Sequence, residues 1–405
     1  MSKQPDTPIA SEDRRAGTYE HDDDVSALLW YGTHSILDVP RREEPITAGT
    51  ARDRDLRLHG DGISGQHFVM RWRASGLVVT DDGSTNGTAY EINRNVGLAL
   101  KALFDDKRDE GEGFLLRAGM TFVAGADPYR FVALDEEMRR QHPRLIEILG
   151  REDEVRTATE DSETPSPSDL ILAADAPGHM VITGKPGCEQ EELARIIHRI
   201  SKRRRQPLIE VHSVPENRQE QSALLKQQVK KGTLVLDLGK NRSRLDPAFV
   251  SSMFSPSYPI RVIVLARTAS HARRALGHQH WRPLMHVALC PLSRRRAAIP
   301  RLLDDWLAAS GSVLRVADLS PLNQRALLRN PWRENLQALR QTAVRLDAIV
   351  RAGFSRKKAA AALGIPRMTF YGWFNETMQF VRPLVNEPQK SALLAKLSTD
   401  AGDRP

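Results

Sequence analysis

Val181-Ile182-Thr183-Gly184-Lys185-Pro186-Gly187-Cys188-Glu189-Gln190-Glu191-Glu192-Leu193-Ala194-Arg195 decides how the centre of this chain is read. A short apolar strand enters a Gly-rich turn and a helix leaves it. That is the layout of a loop whose backbone N–H groups cradle phosphate at a helix N-terminus. Such a loop needs small residues where the backbone wraps the phosphates, and a lysine to reach the outer oxygens. Glu189 puts a carboxylate where a glycine is needed, and Gln190, at the lysine's position, carries no charge. The degenerate site comprises Gly184, Gly187, Gln190 and, further on, Asp237.

Around this loop, the apolar runs Met180 to Thr183, Leu208 to Val211, Thr233 to Leu236 and Val262 to Leu265 alternate with helical stretches. That alternation is the signature of a parallel α/β layer. Upstream, from Ser26 to about Asp135, short alternating runs such as Phe68 to Trp72, Gly76 to Val79 and Tyr129 to Ala133 are separated by Gly/Asp/Asn turns, which predicts an all-β sandwich. A helix is expected around Asp135 to Leu149, then a Ser/Thr/Pro/Glu linker from Arg151 to Asp169, and from Arg294 onward an all-helical region ending in a polar tail. The expected fold is multidomain: an all-β N-terminal sandwich, a central α/β domain with a helical lid, and an all-α C-terminal segment. Its boundaries are a disordered N-terminus (1–26), the β domain (27–137), a helix and acidic linker (138–168), the α/β domain (169–293), the lid (294–345), a C-terminal helical motif (346–380) and the tail (381–405).

With 405 residues the chain has room for two or three domains, and its 40% hydrophobic content is that of an ordinary globular protein. No run of about 18 apolar residues exists to span a membrane, and the N-terminus lacks the apolar core of a signal peptide. Cys188 and Cys290, the only cysteines, cannot build a disulfide framework, so a reducing cytoplasm is the expected setting. No Cys/His spacing suggests a metal. The net charge is +8, and the span from Arg340 to Val385 holds eight Lys/Arg against two acids, a local balance of +6. A basic balance concentrated in one segment favours a nucleic-acid partner.

In the β region, Gly49-Thr50-Ala51-Arg52-Asp53-Arg54, Ile63-Ser64-Gly65-Gln66-His67 and Asp81-Asp82-Gly83-Ser84-Thr85-Asn86-Gly87-Thr88 resemble the forkhead-associated (FHA) domain over roughly residues 27 to 137. The resemblance implies phosphothreonine-peptide binding, with Ser64 and Thr85 on the phosphate, Asn86 on the peptide backbone, and Gly49, His67 and Gly87 as structural residues. A phosphate of charge about −1.5 to −2 needs several donors held on rigid turns. The family's arginine after the first glycine is Thr50 here, and Gly65 follows the serine, so Arg52 or Arg54 is the candidate for the lost charge. The acidic linker, with Thr157, Thr159, Ser162 and Thr164, is either a plain spacer or, once phosphorylated, a ligand for this site in its own or a sister chain.

The central region, from about 169 to 345, is similar to the AAA+ domain of the sigma-54-dependent enhancer-binding activators. The Gly184–Gln190 loop, Glu191, Ala194, Arg195 and His198, the strand Gly232 to Asp237, the segment Cys290 to Arg296, and Pro331-Trp332 with Asn335 to Leu339 carry the likeness. The departures fall on chemistry. Leu238 replaces the second acid of the Walker B strand, Gln337 stands at the sensor arginine's position, Arg267 lies near that of the sensor asparagine, and the span Val214 to Lys230 is too short for the sigma-contact loop. The chain is therefore expected not to be an enzyme and to need no cofactor, with residual ATP binding left open.

Ser355-Arg356-Lys357-Lys358-Ala359-Ala360-Ala361-Ala362-Leu363-Gly364-Ile365-Pro366-Arg367-Met368-Thr369-Phe370-Tyr371-Gly372-Trp373-Phe374 reads as helix, turn and helix: Ser355 caps, Gly364 turns, and Phe370 and Phe374 share one face. It resembles the Fis-type helix-turn-helix that ends the same activators. The resemblance implies that Arg367, Met368, Thr369 and Tyr371 approach double-stranded DNA from the second helix, with Arg367 the candidate base reader, and that Lys357 and Lys358 contact phosphates. Gly372 departs from a position that is usually basic. The expected function is a cytoplasmic, homodimeric or higher-order DNA-binding transcriptional regulator that couples phosphothreonine recognition to operator binding. The alternative is a phosphothreonine-dependent adaptor that does not read DNA.

Overall fold

The computed structural model describes residues 24–31, 35–91, 100–102, 113–125, 129–151, 165–174, 176, 178–240 and 245–400. Thr157, Thr159, Ser162 and Thr164 lie outside the described residues. The chain divides into two units, Met1–Leu28 with Leu37–Glu136, and Leu29–Ile36 with Glu137–Pro405.

The first strands are β1 (Ala27–Trp30) and β2 (Ser35–Asp38), divided between the two units, and then, in the N-terminal unit, β3 (Ile46–Gly49), β4 (Leu56–Arg57), β5 (Phe68–Arg73), β6 (Gly76–Asp81), β7 (Thr88–Glu91), β8 (Leu100–Ala102), β9 (Phe114–Leu116), β10 (Thr121–Ala124) and β11 (Arg130–Leu134). They form two sheets, in the orders β2-β1-β11-β10-β7-β8 and β4-β3-β5-β6-β9. Phe68 of one sheet meets Phe122 of the other edge-to-face at 5.3 Å, and Phe122 stacks on Phe131 at 5.2 Å. All three rings are fully buried, each contributing on the order of 2–3 kcal/mol of burial, and they fix the two sheets face to face.

In the C-terminal unit, α1 (Glu136–Leu149) and α2 (Pro167–Ala174) precede a five-stranded sheet. Its strands are β12 (Met180–Thr183), β13 (Leu208–Val211), β14 (Thr233–Asp237), β15 (Arg261–Ala266) and β16 (Met285–Ala288), in the order β13-β14-β15-β12-β16, each paired in parallel with its neighbours. β14 and β15 are buried along their whole length, as parallel strands covered by helices on both faces must be. β12 thus lies between the fourth and fifth strands, and the loop that leaves it opens at a switch in strand order on the carboxyl edge of the sheet, where α/β folds place ligands. The helices between strands are α3 (Gln190–Arg199), α4 (Arg218–Ala223), α5 (Pro247–Met253), α6 (Ala269–Leu276) and α7 (His278–Trp281). α4 runs on as a π-helical turn, Leu224–Val229, so helix fills the span from Arg218 to Val229.

The helical region comprises α8 (Ala298–Ala309), α9 (Pro321–Arg329), α10 (Asn335–Arg351), α11 (Arg356–Ala362), α12 (Arg367–Gly372) and α13 (Glu387–Asp400). Two expectations need correction. The boundary drawn at 345/346 falls inside α10, a single helix that belongs both to the lid and to the helices after it. The polar tail drawn from 381 is instead anchored. Leu319 and Val385 form a strand bridge, and the fully buried Asn323 side chain shares its two amide protons among the carbonyls of Val381 (3.0 Å), Pro383 (3.1 Å) and Leu384 (3.1 Å) and accepts from the Val381 N–H at 2.8 Å. The segment reads as polar because one amide and a few apolar residues (Leu384, Val385, Leu393) hold it.

Candidate functional site

In the β unit, Ser64, Thr85 and Asn86 are brought together on the loops after β4 and β6. The Thr85 N–H donates to Ser64 Oγ at 3.0 Å, and the two hydroxyls lie 3.4 Å apart. The Asn86 amide donates to the Gly62 carbonyl at 3.0 Å. His67 is fully buried beneath them. Its Nδ1 accepts from the Ser64 N–H at 3.0 Å and its Nε2 faces the Gly87 carbonyl at 3.0 Å, which assigns the Nε2–H tautomer. Gly49 meets the same loop backbone to backbone: a Cβ there would fall 2.3 Å from the Gly65 oxygen, and the N–H groups of Thr50 and Ala51 donate to Ser64 and Gly65 at 3.0 Å each. Gly65 therefore stands where the two loops touch.

Sequence reasoning missed Asp81 and Ser84. Ser84 donates to the Asp81 carboxylate through its N–H (3.0 Å) and its hydroxyl (2.6 Å), Thr88 Oγ1 donates to it at 2.8 Å, and the Gly87 N–H donates to Ser84 Oγ at 2.9 Å. The signal was an Asp three residues before a Ser in a turn-rich stretch, the mark of an Asx turn. Of the two candidate arginines, Arg54 is held by Asp53 at 2.7 Å and by Gln66. Arg52 is exposed and has no acidic partner among the described residues.

The central loop has the expected path and different contents. Gln190, the first residue of α3, turns its amide down to donate to the Ala266 carbonyl at 2.7 Å. Glu189 sits at φ 64, and its carboxylate meets Arg340 of α10 at 3.0 Å and Arg144 of α1. Glu147 joins the same two arginines and closes a four-residue ionic network. A Cβ on Gly187 would fall 2.0 Å from the Glu334 carbonyl oxygen, while the Asn335 amide donates to the Pro186 carbonyl at 2.7 Å. The loop's glycine thus serves the close seat of the lid. Gln337, at the sensor position, carries no charge to this loop; Arg340, one turn on, does.

Asp237 is buried, and its Oδ1 accepts from the N–H groups of Gly239 (2.8 Å) and Lys240 (3.3 Å). Leu238 points into the hydrophobic core, and Arg267 is exposed. Arg195 pairs bidentately with Glu210 at 2.6 and 2.8 Å, and this bond holds the Glu210 carboxyl below its usual range. Burial pushes the Cys188 thiol up to about 11 and raises that of Cys290, so both are poor nucleophiles. Among the described residues no His/Cys/Asp/Glu group could hold a metal ion, and no helix is long and apolar enough to cross a membrane.

At the C-terminal end, Ser355 Oγ accepts from the Lys358 N–H at 3.4 Å to cap α11, and Gly364 turns the chain at φ 64. α12 buries Phe370 at 1% exposure and presents Met368 at 80%. Arg367 and Thr369 are exposed beside Met368, Lys357 and Lys358 are exposed on α11, and Tyr371 is half-buried with the Arg367 guanidinium 5.3 Å from its ring centre. α12 ends at Gly372 and passes into a π-helical turn, Trp373–Thr377. Arg356 lies 3.6 Å over the Phe374 ring, 7% exposed, and donates to Asn375 Oδ1 at 2.8 Å.

Among solved structures, NtrX from Brucella abortus is similar at 16% identity over 50% of this chain and 65% of its own, with a TM-score of 0.33. The chain therefore spans just under two thirds of that protein. The P-loop NTPase domain of a sigma-54 transport activator from E. coli is similar at 19% identity, covering 30% of this chain and 90% of that one, with a TM-score of 0.25. The FhaA FHA domain, solved with the intracellular domain of Rv3910, is similar at 23% identity over 26% of this chain and 96% of that one, with a TM-score of 0.19. No curated protein matches the chain. A family model, that of the FHA domain, matches residues 46–97, the stretch that holds Gly49, Ser64, His67, Thr85, Asn86 and Gly87. Residues 46–97 of this chain are matched as an FHA domain.

Proposed function

We propose that this chain is a DNA-binding transcriptional regulator in which phosphothreonine recognition at Ser64, Thr85, Asn86 and Arg52 is linked to operator binding by α12. The observation that carries the reading is the two-faced α12. Phe370 is 1% exposed, yet Arg367, Met368 and Thr369 stand in solvent, with Met368 at 80%. A helix that leaves a flexible apolar side chain in water beside a guanidinium is shaped for a partner, and these residue types fit base edges and thymine methyl groups in a major groove.

The central α/β domain acts as a scaffold and does not hydrolyse nucleotide. Supporting this, Gln190 and Asp237 satisfy backbone groups, Glu189 is in an ion network and Leu238 is in the core. The regulator works in the cytoplasm as a homodimer or larger assembly on half-sites about 34 Å apart. Phosphothreonine binding shifts assembly and so DNA affinity, by linkage and without catalysis.

The test is a salt titration of binding to fragmented genomic DNA, wild type beside Arg367→Ala. Binding that persists below about 100 mM salt, steepens as salt falls and loses sequence discrimination in Arg367→Ala supports the reading. Absence of binding by either protein below about 100 mM salt overturns it and favours the adaptor.

A further inference from the structure

A cleft of about 670 Å³ lies between the helix-turn-helix and the segment that returns after it, and four cations line it: Arg356, Lys357, Arg382 and Lys390. Its one acid, Glu387, is taken by Lys390 at 3.2 Å. Lys357 and Arg382 have no acidic partner among the described residues. Phe354 and Pro383, neither of them buried, give the cleft an apolar floor. Arg356 lies flat on Phe374 at 3.6 Å, and among the described residues one acceptor, Asn375 Oδ1, meets its five N–H donors. Burial, reinforced by the repulsion of Arg382, holds the Arg356 guanidinium down to about 10. A buried guanidinium with a second cation beside it favours a bound anion, and this volume is that of a small-molecule pocket.

We propose that this cleft binds a small organic anion, with its acidic head between Arg356, Arg382 and Lys390 and its aromatic or aliphatic body on Phe354 and Pro383. The head supplies the negative charge the cluster lacks, and the body covers the floor. Neither half alone fits both. The inference does not depend on DNA binding.

The test titrates the full-length chain calorimetrically with 2-naphthoate, and with acetate and 2-naphthol as its two halves. A carboxylate probe keeps the phosphate-shaped loop around Ser64 out of the measurement. The expected result is that 2-naphthoate binds at least about tenfold tighter than either half. Arg382→Gln and Lys390→Gln, changes at surface side chains, each weaken it about three- to tenfold with unchanged melting temperature. Equal affinity for 2-naphthoate and 2-naphthol, or naphthoate binding untouched by both substitutions, overturns the proposal. So does an absence of naphthoate binding, and weaker duplex binding by both variants then assigns the cluster to DNA phosphates.

Discussion

The side-chain amide of Gln190 and the carbonyl oxygen of Ala266 are joined by a 2.7 Å hydrogen bond between residues 76 positions apart. The same carbonyl accepts from the Gly184 N–H at 3.1 Å, so the end of β15, the loop after β12 and the first turn of α3 share one acceptor. Gln190→Leu removes one of two donors and is expected to cost about 0.5–1.5 kcal/mol in chemical denaturation. On the proposed scaffold reading, Gln190→Lys supplies a lysine while Leu238 stays in the core and Glu189 in its ion network, so phosphate release is expected to stay at background.

Gly187 and Gly364 separate two costs of a positive φ. Gly364 sits at φ 64 with nothing within 4 Å of an added Cβ, so Gly364→Ala is expected to cost about 1–2 kcal/mol, from backbone conformation alone. Gly187, at φ 76, faces the Glu334 carbonyl at 2.0 Å, so Gly187→Ala adds a displacement of the lid. Denaturation of the two variants should rank Gly187→Ala as clearly the more destabilised.

Within the FHA domain, the hydroxyl of Ser64 accepts from the Thr85 N–H, and Arg52 is exposed with no acidic partner among the described residues. Fluorescence anisotropy with a phosphothreonine peptide should find Ser64→Ala weakened at least about tenfold and Arg52→Ala by a similar factor, as for lost charge-assisted contacts. Arg54→Ala, whose guanidinium is occupied by Asp53 and Gln66, should lose less than about threefold.

Acid should weaken the C-terminal unit. Burial, with Arg261 and Arg203 nearby, holds His179 below its ordinary 6.5, and burial does the same to His198, which bonds Thr233 Oγ1 at 2.9 Å. A histidine with a depressed folded pKa binds fewer protons folded than unfolded. Its contribution is therefore full above 6.5 and is lost as pH falls through 6.5 toward the folded value. Thermal melts at pH 7.5, 6.5 and 5.5 should show the transition moving down with pH, and the double change His179→Gln, His198→Gln should flatten that dependence.

Asn323 holds the returning segment through its buried amide. Asn323→Ala removes the amide that donates to and accepts from the backbone of residues 381–384 and is expected to cost more than about 2 kcal/mol. Limited proteolysis should then cut between residues 379 and 390 before any other site in the C-terminal unit.

Much of this was legible from local patterns. Period-two runs gave β5, β6 and β11 to within two residues, and unbroken apolar runs gave β12 and β13 to the residue. Ser355 as cap, Gly364 as turn and Phe370 as inner face follow from turn chemistry and helical spacing, which involve only neighbours in the chain. β16, Met285–Ala288, escaped because four residues with a histidine among them carry too little period to stand out.

The sequence by itself determined which elements form, the FHA loops with their serine, histidine and threonine, and the absence of charge at Gln190. Tertiary structure alone decided what those residues do. Glu189 had no visible partner until α1 and α10 brought Arg144 and Arg340 to it, Arg356 was only one charge among eight until Phe374 lay beneath it, and the tail read as polar until Asn323 reached its carbonyls. Hydrogen-bond acceptors and ring faces are chosen by distance in space, and residues tens or hundreds of positions apart leave no periodic trace of one another in the chain.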